Sequence, residues 1–115
     1  MTAIDLEKPP AAAKQTSRLT RTRRTTLLKA LADPRRFELV ERIARASCPL
    51  ACSQAQAALQ IAPATLSHHI KELESAGLIE IKRVGKFHHL KLRPGVLNTL
   101  AESLQALDAA SCAAR

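Results

Sequence analysis

The chain has no tryptophan and no tyrosine, and phenylalanine occurs only at Phe37 and Phe87. So little aromatic mass, beside an apolar content of 46% in which Ala and Leu dominate, favours helices packed through aliphatic stripes. Glycine is scarce as well, at three residues. They form no phosphate-cradling loop, and no nucleophile with a base and no paired acids stand out, so an enzyme is not expected. No apolar run approaches the ~18 residues of a membrane span, and no long cationic amphipathic helix is apparent, which argues against a membrane protein. The first 13 residues carry acids and two prolines but no basic stretch followed by an apolar one. No secretory signal is read there, and a cytoplasmic location is expected. Three cysteines, Cys48, Cys52 and Cys112, cannot all pair within one chain, and a reducing compartment would keep them as thiols.

Positive charge, by contrast, is plentiful. Lys and Arg number 18 against 10 Asp and Glu, a formal net charge of +8 on 115 residues. Such an imbalance points to a polyanionic partner, nucleic acid first. The length suits one domain. Residues 1–16 mix Pro, Ala and charge without a helical period and read as a disordered tail, leaving 17–112 as the domain.

Within that domain a first helix is expected from about Ser17 to Ala32, opening on the arginine-rich RLTRTRR at 18–24. Asp33-Pro34 marks a new helix, since Asp accepts hydrogen bonds from free first-turn amides and Pro is tolerated at the first position. Phe37, Val40, Ile43 and Ala44 follow at helical steps as its core stripe. Residues 48–52 form a connection, and Ser53 with Gln56 has the form of a capping box opening a short third helix that ends near Leu59. After a tight turn at Ile61-Ala62, Pro63 begins a fourth helix over Pro63–Ala76, which Gly77 ends. Ile79 and Ile81, then Leu90 and Leu92, alternate with polar residues as two strands around Gly85-Lys86. Leu97, Leu100, Leu104 and Leu107 then recur at steps of three and four on a last helix.

The predicted class is therefore mainly α with a two-stranded β-hairpin, a winged helix-turn-helix in the order α-α-α-α-β-β-α. The fourth helix turns Leu66, Ile70 and Leu73 to one side and Ala64, Ser67, His68, Lys71 and Ser75 to the other, a small, polar face free of acids. With Thr65 at the exposed start of the helix, that face suits close approach to a major groove. Lys82, Arg83 and Lys86 around Gly85 suit neighbouring phosphates, with Lys91 and Arg93 extending the charge. The leucine stripe is too long for a core this small and predicts pairing with a second subunit, placing two reading helices ~34 Å apart.

The segments LLKALADPRRFELVERI and ATLSHHIKELESAGLIEIKRVGKFHHLKL together resemble the ArsR/SmtB family of bacterial winged-helix repressors over about Thr26 to Leu107. Its pattern of Ser, one residue, His and an apolar residue, then Leu and Gly-Leu, is met by Ser67, His69, Ile70, Leu73, Gly77 and Leu78. Its wing pattern is met by Gly85, Lys86 and Phe87. The resemblance implies a homodimer that represses transcription on an imperfect palindrome of double-stranded DNA and is released by a metal, a metalloid or a redox change. It also implies that His69 touches DNA, whereas the helical wheel sets His69 beside Leu73 at the core edge; both readings stay open on the sequence.

Arsenic sensors of that family keep thiolates near the position of the Cys48-x₃-Cys52 pair. Soft thiolates suit arsenite, Cd or Zn, with Cys112 as a third ligand if it folds close. The family motif is spaced more tightly and set later, so Cys52 falls beside its positions. The alternative is that the cysteines are small apolar fillers. The family's other site, on the last helix, requires histidine, and none occurs between Pro94 and Arg115. The His68-His69 and His88-His89 doublets diverge on helix and strand and make no metal site. Two other functions fit this class of fold, a protein-binding adaptor and a repressor with no metal inducer. The clustered cations favour DNA over the adaptor.

Overall fold

The computed structural model describes residues 19–46 and 49–111. The tail at 1–16, Cys48 and Cys112 lie outside the described residues. Helices α1 (Arg21–Leu31) and α2 (Pro34–Arg45) are followed by a short strand β1 (Leu50–Ala51). Helices α3 (Cys52–Leu59) and α4 (Pro63–Ser75), strands β2 (Ile79–Val84) and β3 (Phe87–Leu92), and helix α5 (Val96–Ala110) complete the order. Two compact units are present, Thr25–Arg93 and the described residues that flank it.

Local chemistry sets most of the boundaries. Thr20 opens α1 by accepting the Arg23 amide at its Oγ1, 3.1 Å away. Asp33 caps α2 as its sequence position predicts, accepting from the amides of Arg35 (2.8 Å) and Arg36 (3.2 Å), with Pro34 in the first turn. Arg36 reaches back in turn, donating from Nε to the Ala30 carbonyl at 2.7 Å and from Nη2 to that of Lys29 at 3.2 Å. The last carbonyls of α1, which have no partner within their helix, are thus met by a cation.

Helix α3 starts one residue before Ser53, and the expected box of Ser53 with Gln56 is replaced by the Gln54 side chain accepting from the Ala51 amide at 3.1 Å. Ala51 has no side-chain oxygen, so the reciprocal half of a capping box is missing. The connection at 48–52 is corrected likewise. Leu50 and Ala51 within it are a strand, pairing antiparallel with β3 through Leu50↔Leu90 and Ala51↔His89 and giving a three-stranded sheet in the order β1-β3-β2, and Cys52 already belongs to α3. A two-residue strand has too few positions to show an alternating pattern.

The core of Thr25–Arg93 is aliphatic. Leu27, Leu39, Leu59, Leu73, Leu78, Ile79 and Leu90 are fully buried, each stabilising by roughly 1.5–3 kcal/mol relative to exposure. On α2 the buried stripe is Leu39, Val40 and Ile43, while Phe37 (47% exposed) and Ala44 face outward, contrary to expectation. Helix α4 ends in a two-bond lock. The Leu78 amide donates to the Leu73 carbonyl at 3.0 Å and the Gly77 amide to the Glu74 carbonyl at 2.9 Å. Gly77 adopts φ 84°, a conformation that a Cβ disfavours, and Leu73 and Leu78 are both buried beside it. Gly85 (φ 63°) takes the first turn position between the paired Val84 and Phe87, as a tight hairpin turn requires.

In the flanking unit, the Arg24 guanidinium donates to Ser103 Oγ at 3.0 Å, tying the start of α1 to α5. Along α5, Leu97, Leu104 and Leu107 are exposed, Leu107 by 62%, whereas Leu100 is buried. Three residues of the predicted four-leucine stripe are therefore exposed.

The Arg36 amide above all, with the Arg35 amide and the Arg36 charge, holds the Asp33 carboxyl below the usual carboxylate range against an opposing desolvation. A depressed folded-state pKa stabilises above the unfolded value and loses that effect as pH falls through the folded one. Asp33→Ala is accordingly expected to lower the thermal unfolding midpoint at pH 7. Scanning calorimetry should find the gap from wild type closing only below about pH 4.

Candidate nucleic-acid interface

Helix α3, the turn at 60–62 and helix α4 form the helix-turn-helix. Gln60 sits in the left-handed region (φ 54°) at the C-cap of α3, its amide donating to the Gln56 carbonyl at 2.9 Å, and this reverses the chain toward Pro63. Both helices begin on alanine, Ala51 and Ala62, with no side-chain cap on their first-turn amides. Exposed amides of this kind can donate to phosphate oxygens.

Leu66, Ile70 and Leu73 anchor α4 from within. Ala64, Thr65, Ser67, His68 and Lys71 are all exposed, as the helical wheel predicts. His69 is not on that face, being only 6% exposed with Nδ1 buried and without a hydrogen-bond partner. Of the two readings open on the sequence, the structure adopts the core-edge position, because at 100° per residue His69 follows the Leu66–Leu73 side.

A cleft of about 500 Å³ joins the reading face to the hairpin. Ser53 and Gln56 of α3, Ser67 and Lys71 of α4, and Ile81 and His88 of the hairpin line it. Of the polar residues among these, Ser53, Gln56 and His88 are not ones that sequence reasoning selects. The spacing of Ser53 and Gln56 resembles a cap, and which way His88 points follows only from strand register. Glu74 also lines the cleft. The sequence-derived face was expected to be free of acids, but Glu74 lies two turns after Ser67 and so returns to its side.

The hairpin register separates its faces. Ile79, Ile81, Leu90 and Leu92 share one side, and Glu80, Lys82, Val84, Phe87, His89 and Lys91 share the other. Lys82, Arg83, Gly85 and Lys86 are exposed around the turn. Among the described residues every ion pair lies in the Asp33–Arg45 segment: Arg36 with Asp33 (3.8 Å), Arg35 and Arg42 with Glu38 (3.1 and 3.9 Å), and Arg45 with Glu41 (3.9 Å). Cations of α2 are thus matched by acids of the same segment, whereas Lys71, Lys82, Arg83, Lys86, Lys91 and Arg93 have no such match.

Of the cysteines, Cys52 is described, and it lines the cleft half-buried. Burial pushes its thiol pKa up, which disfavours the thiolate that binds metal or attacks electrophiles. Among the described residues no three His, Cys, Asp or Glu side chains converge to hold a metal ion. No helix there is long and apolar enough to cross a membrane.

Residues 31–82 match the model of a helix-turn-helix domain family. A curated relative, the arsenical resistance operon repressor of Staphylococcus xylosus, is 29% identical over 85 residues, covering 73% of this chain and 79% of the relative. An ArsR-like transcriptional regulator from a Rhodococcus species superposes with a TM-score of 0.69 at 24% identity, covering 76% of this chain and 81% of its own. The homodimeric winged helix-turn-helix DNA-binding domain of a possible ArsR-family regulator from Mycobacterium bovis superposes with a TM-score of 0.60 at 22% identity. The match covers 89% of this chain and 88% of that domain.

The two neighbouring histidines should separate in a urea melt. His69→Ala removes a buried ring and is expected to cost roughly 1–3 kcal/mol, while His68→Ala should remain within about 0.5 kcal/mol of wild type.

Proposed function

We propose that the chain is a winged helix-turn-helix regulator of the ArsR/SmtB family that represses transcription by binding an imperfect palindrome in double-stranded DNA as a homodimer. The observation that carries this reading is the placement of unmatched charge. Lys71 on α4 lines a cleft in which Ser67 and Gln56 offer hydrogen bonds to base edges or phosphates, and Lys82, Arg83 and Lys86 are exposed around the turn of the wing. Ala64 and Thr65, small residues at the leading end of α4, allow the helix to enter the major groove without collision. His68 projects from the same surface, and His69 supports it from below.

The partner surface on α5 is read from Leu97, Leu104 and Leu107, three exposed leucines on one helix. A two-fold axis there would set two α4 helices about one turn of DNA apart, ~34 Å. An adaptor that binds proteins would have no need of cations gathered on both reading helix and wing.

Release by arsenite, Cd or Zn would require Cys48 or Cys112 to join Cys52, since Cys52 alone offers one half-buried thiol whose pKa is pushed up by burial. The reading favoured here is a repressor whose affinity for DNA does not depend on these ions. Titrating the reduced protein with arsenite, Cd²⁺, Zn²⁺ and a disulfide-forming oxidant tests it, and a fall in DNA affinity with any of them would assign the thiols a sensing role.

Selection from a random duplex library should recover a two-fold related site, and that site placed over a promoter should lower reporter output. By fluorescence anisotropy, log Kd for that duplex should rise steeply with log salt, and Lys86→Ala should reduce the slope by about 2, one phosphate in each protomer. Leu107→Glu should shift the sedimentation coefficient to that of a monomer and weaken DNA binding at least tenfold, on the order expected when one of two half-sites is lost.

A further inference from the structure

The outer end of the hairpin is unlike its flanks. Val84 and Phe87 form the terminal cross-strand pair, on the side of the sheet opposite Ile81 and Leu90, and they are 58% and 60% exposed. An aromatic and a β-branched residue facing each other help to hold a hairpin closed, and that role leaves the outer surface of the ring in water. The buried position on β3 nearest the turn is Leu90, three residues after Phe87, so the pair projects about 10 Å beyond the core. Around it stand Lys82, Arg83 and Lys86, all exposed, with no carboxylate in ion-pair range among the described residues. The acid of this face, Glu80, lies at the other end of the strand.

We propose that Phe87, backed by Val84, is an apolar wedge that enters the minor groove beside the α4 site and partly unstacks one base step, while Lys86 and Arg83 hold the flanking phosphates. The inference rests on the DNA-binding reading given above. Positive charge on both sides of the pair selects a polyanion over an apolar protein surface, and the cleft reaches the hairpin at His88, the residue next to Phe87 on the other face of the strand. A minor groove is about 6 Å wide, enough for a two-residue turn and one ring to enter edge-on. Apolar side chains inserted at base steps kink DNA, and pyrimidine–purine steps yield most easily. The wing would therefore contribute sequence preference through deformability, at a position where it makes no base-specific hydrogen bond.

The test uses the full chain and a duplex selected from a random library, with a single TpA step moved one base pair at a time through each flank in place of ApA. Wild type is expected to bind roughly tenfold more tightly when TpA occupies one position in each half-site. 2-Aminopurine at that step should brighten on binding as stacking is lost. Phe87→Ala should abolish the positional preference and the brightening while leaving the salt slope unchanged. Phe87→Trp should restore both, and Phe87→Thr, which keeps strand propensity without a ring, should restore neither. Lys86→Ala should give the reverse pattern, a shallower slope with the preference kept.

Retention of the TpA preference by Phe87→Ala, its restoration by Phe87→Thr, or no fluorescence change with wild type would each overturn the wedge and leave the DNA-binding reading intact. Loss of dimerisation in Phe87→Ala without DNA would also overturn it, assigning the tip to a second copy of the chain. Failure of wild type to bind any selected duplex would instead overturn the reading on which the wedge depends.

Discussion

The seating of Leu66, Ile70 and Leu73 in the aliphatic core is the constraint from which the functional surface follows. A helix buried along one stripe has no freedom to rotate, so fixing these three residues determines that Ala64, Ser67, His68 and Lys71 meet solvent. The same anchoring continues beyond the helix. Leu73 and Leu78 are both buried where Gly77 reverses the chain, and the bond from the Leu78 amide to the Leu73 carbonyl carries the orientation of α4 into β2. Reading helix and wing are thereby held as one unit by a single turn. Positioning of this kind is what a DNA reader requires, since a helix that rolled in its seat would lose register with the base edges.

Charge placement makes that surface specific in kind. Helix α2 is as rich in arginine as the wing is in cations, yet its arginines are met by Asp33, Glu38 and Glu41 at helical spacing. Exposed pairs of this sort add little stability, but they remove net charge locally. The net charge of +8 is consequently not spread evenly. Its unmatched part includes Lys71 and the hairpin cations, where on the proposed reading each phosphate would release counterions. Glu74 in the cleft works against this and sets a limit on how closely a phosphate can approach that end of α4.

Much of this was legible in the residues because it depends on short-range chemistry. Asp33-Pro34 as a helix start, Gly77 as a helix stop, Gly85 as a hairpin turn and the inner stripe of α4 are each decided within a few positions, and the structure has all of them. What escaped depends on partners distant in sequence. Leu50 and Ala51 are a strand because β3 lies beside them. Phe37 has helical spacing with Val40, yet the stripe that packs is Leu39, Val40 and Ile43 and leaves Phe37 outside. Ser53 and Gln56 have the spacing of a cap, and their place is instead the cleft wall beside Lys71. His69 shows the same limit in one residue, since family resemblance and helical geometry gave different answers and burial favoured geometry.

The central claim is that one face, made of the leading end of α4, the start of α3 and the hairpin, meets DNA while the ion-paired face of α2 does not. Amide hydrogen exchange with and without a selected duplex tests it residue by residue. Added protection is expected over residues 52–56, 63–71 and 82–88, with α2 unchanged apart from its buried stripe. Protection concentrated on the exposed side of α2 around Arg35, Arg42 and Arg45, with the α4 and hairpin segments unaffected, would contradict the account.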